Sequence, residues 1–166
     1  MKHRLAWIFT TVVVLTAAGA GAGAWLLTRG HGSGLPRISA YSRGETVAVE
    51  PYLYCNVVDL NDCVTSSAQG QLSVNESFPV QLSVPTSISR GPWRLLRVYA
   101  DERDTTTASY RPGTRLAVTV PTVDPQRGRV VGLVVQLMTL VQDENGELFD
   151  LPHAEWSLRL VWDGQS

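Results

Sequence analysis

Lysine, cysteine and histidine are scarce in this sequence of 166 residues, which has one lysine, two cysteines and three histidines. No cysteine or histidine has partners at the spacing of a zinc site, so we expect no bound metal. After Arg29 the chain carries 11 arginines and 15 acidic residues, a formal charge of −4. Nucleic acids bind clustered positive charge, and we therefore expect no nucleic-acid partner. The preference for arginine over lysine is typical of GC-rich genomes and indicates an actinobacterial source.

Catalytic motifs are also missing. The chain has no G-x-S-x-G nucleophile elbow and no cysteine in a recognisable catalytic setting. Asp150, His153 and Glu155 offer one alternative, in which His153 is a general base oriented by a carboxylate. Because this arrangement lacks a nucleophile, we interpret the segment as a polar loop before the last strand. We therefore predict a non-enzymatic protein without a cofactor.

Charge is absent from residues 5–28, which follow a basic MKHR start. An apolar helix of this length can span the roughly 30 Å hydrocarbon core of a membrane. Lys2 and Arg4 favour a cytoplasmic N-terminus and an extracytoplasmic C-terminal domain. We interpret residues 1–29 as a single-pass anchor in the cell membrane, with a signal peptide cleaved after Ala24 as the alternative. The segment has no cysteine to lipidate, which argues against a lipoprotein.

Small residues dominate the second half of the apolar run, where Gly19 and Gly23 form a G-x-x-x-G pattern. On a membrane helix this pattern allows close packing of a partner helix. Small residues are also common in signal peptides, so this alternative stays open. Gly19 and Gly23 are therefore candidate helix-packing residues.

The rest of the chain alternates short extended runs with turns. Residues 30–37 form a glycine- and serine-rich tether, and residues 38–166 an extracytoplasmic domain. We predict strands at residues 38–41, 46–49, 52–55, 78–84, 93–99, 116–120, 130–141 and 156–162. Glu144-Asn145-Gly146-Glu147 is typical of a hairpin turn. With seven to nine short strands and no helical periodicity, the pattern predicts an all-β, immunoglobulin-like sandwich, with Trp93, Trp156 and Trp162 as core or edge aromatics.

Residues 130–141 form the longest apolar run of the domain. Val131, Leu133, Val135, Leu137 and Val141 are predicted to share one face of this strand. Val134, Met138 and Leu140 make much of the other face apolar as well. A strand of this kind is covered on both faces, either by its own chain or by a partner.

Cys55 and Cys63 lie in the exported part, where an even cysteine count predicts a disulfide bond. The short loop predicts about 2.5 kcal/mol of stabilisation in the chain-entropy description. Metal-binding thiols and two free buried thiols are the alternatives. Asp59, Asn61 and Asp62 inside the loop, like the Asp143-to-Glu147 segment, are interpreted as turn formers rather than calcium ligands.

Two further groups of side chains are candidates for contact with a partner. Arg111, Arg115, Arg127 and Arg129 lie in two turns that flank one strand, and together they could meet an anionic headgroup or an acidic partner. Solvated turn residues are the alternative. Tyr41, Tyr52 and Tyr54 either line a contact surface or are ordinary strand aromatics.

The segments PYLYCNVVDLNDC, FPVQLSVP, PWRLL, YRPGTRLAVTVPTVDPQRGR and HAEWSLR resemble an actinobacterial family of exported proteins known as domain of unknown function 2771. The resemblance covers residues 38–162 and implies a mycobacterial or related envelope protein. It supplies no catalytic or binding residues. Some relatives are described as lipoproteins, a property that this chain lacks the cysteine to share.

These observations predict an accessory or interaction module. Its single span holds it in the membrane, and its β-domain contacts another envelope protein, such as a transporter. The layout is similar to that of anchored accessory proteins of mycobacterial lipid exporters, which is an analogy of architecture alone. A stand-alone envelope protein that binds lipid or glycan is the alternative.

Overall fold

The structure is a computed structural model, which describes residues 34–162. Its strands are β1 (Ile38–Ser42), β2 (Glu45–Val49), β3 (Leu53–Cys55), β4 (Cys63–Thr65), β5 (Gly70–Val74), β6 (Val80–Ser83), β7 (Trp93–Tyr99), β8 (Thr106–Tyr110), β9 (Ala117–Val120), β10 (Val123–Asp124), β11 (Gly128–Gln142) and β12 (Leu148–Trp162). One helical turn, α1 (Thr86–Ser89), and one 3-10 turn, η1 (Glu102–Asp104), interrupt them. The all-β prediction is confirmed. The predicted count of seven to nine strands is too low.

The strands form two sheets. The small sheet has the order β2-β1-β6-β9 and is antiparallel throughout. The large sheet has the order β4-β3-β12-β11-β7-β8, with β10 beside β11 and β5 beside β12. Only the β5–β12 pair is parallel among the described strands. The two sheets establish the two-layer class, and the immunoglobulin-like connectivity stays a prediction.

One apolar core joins the two sheets. Ile38 and Leu82 enter it from the small sheet, and Leu133 and Leu158 enter it from the large sheet. All four side chains are at most 1% exposed. The core also contains the three predicted tryptophans, namely Trp93, Trp156 and Trp162. Burial of both inner faces explains the period-two apolar patterns of β6 and β7.

Two predicted details are wrong. Val130, not Val131, lies in the core, because the register between β11 and β7 shifts between Val130 and Gly132. A shift of one residue transfers the inward position to the neighbouring side chain. The predicted polar loop before residue 156 belongs to β12, which begins at Leu148 and includes Pro152. Proline is accommodated there because the pairing of β11 with β12 is irregular next to Met138.

Gly70 marks a close approach of β5 to β2. A Cβ atom at Gly70 would lie 2.3 Å from Val49 Cγ2, which is too close for any side chain. We expect Gly70→Ala to lower the free energy of unfolding by about 1–3 kcal/mol through overpacking. Chemical denaturation of purified protein measures this loss.

Gly132→Ala is the matched control, since a Cβ there would meet ordinary contacts, the nearest being Leu158 O at 3.6 Å. Its stability should stay level or rise by about 0.5–1 kcal/mol, because glycine is unfavourable inside strands. Equal stability of the two variants would contradict the close approach of β5 and β2.

Candidate functional site

The hairpin of β11 and β12 extends beyond the rest of the large sheet. Pairing of β7 with β11 ends where Trp93 meets Leu137. Beyond this point β11 and β12 continue together to the pair Gln142–Leu148. Among the described strands, none pairs with this extension. We name residues 138–152 the ribbon.

Large apolar side chains on the ribbon are exposed to solvent. Leu140 and Leu148 are each 66% exposed, Phe149 is 47% exposed and Leu151 is 37% exposed. Leu140 pairs with Asp150, whereas Phe149 pairs with Val141, so the apolar side chains occupy both faces of the ribbon. Such a concentration on one projecting element is typical of an interaction site.

The tip of the ribbon is acidic. Asp143 accepts hydrogen bonds from the backbone amides of Asn145 at 2.9 Å and Glu147 at 2.8 Å, which confirms the predicted turn. The amide of Glu147 is the main cause that holds the pKa of Asp143 below its ordinary value. Residues 138–152 contain four carboxylates and no basic residue. The tip is therefore negatively charged at neutral pH.

A groove lies at the base of the ribbon. It has a volume of about 330 Å³, and Trp93 and Tyr110 stack beside it with ring centroids 4.2 Å apart. Arg94 pairs with Asp150 of the ribbon at 2.5 Å, and Arg111 also lines the groove. The exposed apolar side chains and the acidic tip of the ribbon therefore adjoin a groove that contains two arginines.

A second group of polar side chains surrounds Glu155 on the outer face of the large sheet. Tyr52 donates its hydroxyl hydrogen to Glu155 Oε2, and Gln136 Nε2 donates to Oε1 at 2.7 Å. Gln136 and Glu155 are direct cross-strand partners. Burial raises the pKa of Glu155 above its ordinary value. Perturbed carboxyl groups of this kind are frequent at functional sites.

The raised pKa of Glu155 predicts a stability that depends on pH. The folded state holds the Glu155 proton more tightly than the unfolded state, whose pKa is about 4.3. The contribution of Glu155 to the free energy of unfolding is therefore fully present below that value, and it is lost as pH rises through the folded pKa. Because glutamine stays neutral, the free energy of unfolding of Glu155→Gln should not show this decline as pH rises.

Denaturation curves over a pH series measure the difference in stability between the native protein and Glu155→Gln. We expect this difference to move in favour of the variant as pH rises from about 4 towards neutrality. Glu144→Gln, a change in the exposed turn of the ribbon, is the control and should follow the native protein. A constant difference for Glu155→Gln would contradict the burial of this carboxyl group.

Asp150, His153 and Glu155 do not act on one another. Asp150 pairs with Arg94, and Glu155 bonds to Tyr52 and Gln136. His153 is 6% exposed, and its Nδ1 lies 3.4 Å from the carbonyl oxygen of Cys55. The general base oriented by a carboxylate, considered from the sequence, is therefore not formed by these residues.

The four candidate arginines do not form one cluster. Arg111 follows Tyr110, which pairs with Trp93 at the start of β7. Arg129 precedes Val130, which pairs with Tyr99 at the end of β7. The turn with Arg111 and Arg115 and the turn with Arg127 and Arg129 thus lie at opposite ends of the strands between them. Contact of either turn with an anion stays a prediction.

Two of these arginines have partners in their own chain. Arg127 Nη1 lies 3.4 Å from Asp124 Oδ2, and Arg129 Nη2 lies 2.9 Å from Glu76 Oε1. The guanidinium of Arg129 also lies 4.6 Å from the ring centroid of Trp162. Exposed ion pairs contribute little stability, about 0–1 kcal/mol each. The contact with Trp162 helps to hold the Arg129 side chain against the large sheet.

The three tyrosines do not line one surface. Tyr41 belongs to β1 of the small sheet and is 46% exposed. Tyr54 packs against the core and contacts Trp156 edge to face, with ring centroids 6.5 Å apart. Tyr52 is bonded to Glu155. The three tyrosines therefore do not form one group, and only Tyr52 belongs to the group of side chains around Glu155.

Cys55 and Cys63 form the predicted disulfide bond, which joins β3 to β4. Within their loop Asp59 accepts a hydrogen bond from the amide of Asn61 at 3.0 Å, which confirms its interpretation as a turn former. In residues 34–162 no group of three or more histidine, cysteine or acidic side chains is placed to hold a metal ion.

The predicted membrane span and its candidate packing residues, Gly19 and Gly23, lie outside the described residues. The part of the chain that the structure describes has no helix with the length and apolarity to cross a membrane.

The fold and these surfaces define an all-β, two-sheet domain with a projecting apolar ribbon. The family profile described as "Protein of unknown function (DUF2771)" matches residues 32–161, so the chain belongs to this family. It is 63% identical over 162 residues to uncharacterized proteins of Mycobacterium bovis and Mycobacterium tuberculosis. Each alignment covers 98% of this chain and 100% of the relative. No solved structure matches the chain. The resemblance found in the sequence is confirmed.

Proposed function

We propose that this protein is a membrane-anchored interaction module of the cell envelope. Residues 1–29 hold it in the membrane as a single span, and the β-domain contacts another envelope protein, such as a transporter, on the extracytoplasmic side. Gly19 and Gly23 would add a helix contact within the membrane. The proposal needs no cofactor and no catalytic residue.

The ribbon is the observation that supports this proposal. It projects beyond the rest of the large sheet. Leu140 and Leu148 are each 66% exposed and do not belong to the apolar core between the sheets. Its outer strand edges also carry backbone groups without a neighbouring strand in the described residues. Natural proteins protect such edges, or use them to bind another chain. Both properties favour a protein partner.

The charge of the ribbon narrows the class of partner. Its carboxylates at Asp143, Glu144 and Glu147 have no basic residue beside them in residues 138–152. Anionic lipid surfaces attract basic segments, so this tip is disfavoured at a lipid surface. A protein with an apolar contact area rimmed by arginine or lysine is complementary to the ribbon. This complementarity favours a protein over a lipid.

Purification of the full-length protein from its native membrane in mild detergent tests the proposal. Mass spectrometry of the bait and of the co-purifying proteins gives both its N-terminus and its partner. We expect an intact N-terminal segment and a membrane protein in stoichiometric amount. A bait that begins at Trp25 and elutes alone as a monomer would contradict the proposal.

A further inference from the structure

The large sheet has a gap along one edge of β12. On this edge β3 pairs with Ala154 and Glu155, whereas β5 pairs with residues 158–162. Residues 156 and 157 lie between these two pairings. The segment that connects β4 to β5 crosses the gap, where Gln69 Nε2 donates a hydrogen bond to Ser157 Oγ at 3.1 Å. A cleft of about 400 Å³ opens at this place.

The cleft is lined almost entirely by uncharged polar residues. Its walls are formed by Tyr52, Ser66, Ser67, Ala68, Gln69 and Ser157. The orientation of the Ser66 side chain is held by hydrogen bonds within the chain. Ser66 Oγ donates to Pro51 O at 3.0 Å and accepts from the amide of Ala68 at 3.2 Å. The hydroxyl of Ser67 has no hydrogen-bond partner among the described residues. The cleft is shallow and open to solvent, so a ligand would lie along its walls rather than be enclosed.

We propose that this cleft binds a neutral saccharide. Serine hydroxyls and the Gln69 amide both donate and accept hydrogen bonds, as sugar hydroxyls do. The half-buried ring of Tyr52 adds an apolar wall with a polar tip. The carboxyl group of Glu155 lies directly behind the Tyr52 hydroxyl. Its negative charge would repel an anionic ligand, and its two oxygens already accept hydrogen bonds from Tyr52 and Gln136.

The site is independent of the ribbon. It lies where β3, β5 and β12 meet, whereas the ribbon lies beyond the Trp93 end of β7. Binding of a saccharide can therefore be tested separately from binding of the proposed protein partner, and failure of one does not imply failure of the other.

The test uses the full chain in lipid nanodiscs, prepared without detergents that carry sugar headgroups, since these would occupy the site. Saturation-transfer NMR and calorimetry measure binding of glucose, galactose and mannose trisaccharides. We expect at least one to bind, and Gln69→Ala to weaken that binding by about fivefold or more, as the loss of one to two hydrogen bonds predicts. Ser157→Ala should weaken it in the same direction.

Gln81→Ala is the matched control, because Gln81 is an exposed glutamine of the small sheet with one side-chain hydrogen bond, from Thr119 at 2.9 Å. It should leave the affinity unchanged. The proposal is overturned if no trisaccharide binds, or if Gln69→Ala and Ser157→Ala bind as the native protein does. Displacement of the sugar by an uncharged serine-rich peptide at equal or higher affinity would also overturn it, since the cleft would then be a peptide site.

Discussion

Replacing Leu140 and Phe149 together by serine is expected to reduce the partner protein recovered with the full-length chain by at least about tenfold. The two side chains are 66% and 47% exposed, and they lie on opposite faces of the ribbon. Apolar anchors at the centre of an interface commonly contribute about 1 kcal/mol or more each, and 1.4 kcal/mol corresponds to a factor of ten. Quantitative mass spectrometry of matched purifications measures this loss.

A second pair of exposed apolar side chains provides the control. Tyr41 is 46% exposed and Phe78 is 52% exposed. Tyr41 belongs to the small sheet, and the amide of Phe78 bonds to Asn75, whose carbonyl oxygen accepts from Thr122 near the Val130 end of β11, away from the ribbon. Tyr41→Ser with Phe78→Ser should leave recovery of the partner unchanged. Circular dichroism and thermal unfolding should show that both double variants keep the fold. Undiminished recovery with the folded ribbon variant would exclude the ribbon as the contact surface.

Trp156→Ala is expected to cause the largest loss of stability, about 3–5 kcal/mol. The indole is completely buried between the sheets. Its Nε1 donates a hydrogen bond to Pro36 O at 2.8 Å, which fastens the start of the domain to β12. Alanine leaves a cavity and removes this bond. A loss of this size is a large fraction of the stability of a typical domain, about 5–15 kcal/mol.

Chemical denaturation of purified protein measures this change, with Trp156→Phe as the comparison. Phenylalanine keeps most of the apolar volume and loses the hydrogen bond to Pro36, so its loss should be clearly smaller, near 1–2 kcal/mol. A stability of Trp156→Ala within about 1 kcal/mol of the native protein would show that the core does not depend on this side chain.

Strands buried on one face could be predicted from the sequence because their side chains alternate. Residues 78–84 were predicted to form a strand, and its alternating residues Val80, Leu82 and Val84 are all at most 5% exposed. The strand β8 was missed because its sequence TTASY has no strong apolar alternation. The length of β12 was missed because Pro152 and the polar residues around it are typical of loops.

The candidate sites depend on relations between distant residues. The second apolar face of β11 was recognised, and Leu140 was assigned to it. Leu140 is exposed because β7, whose first residue is Trp93, does not extend alongside this part of β11. The sequence of residues 130–141 contains no information about where β7 begins. Met138 on the same face is covered and only 5% exposed. The Glu155 site likewise joins Tyr52 to a residue 103 positions away, a pairing that no local pattern contains.

The most direct test of the interaction surface is photocrosslinking in living cells. A benzophenone amino acid is placed at Leu148 of the ribbon, or at the exposed Phe78 as the control, and crosslinked products are identified by mass spectrometry. The proposed function predicts one dominant crosslinked envelope protein from Leu148 and none from Phe78. Crosslinks from Phe78 without any from Leu148 would contradict the assignment of the ribbon as the binding surface.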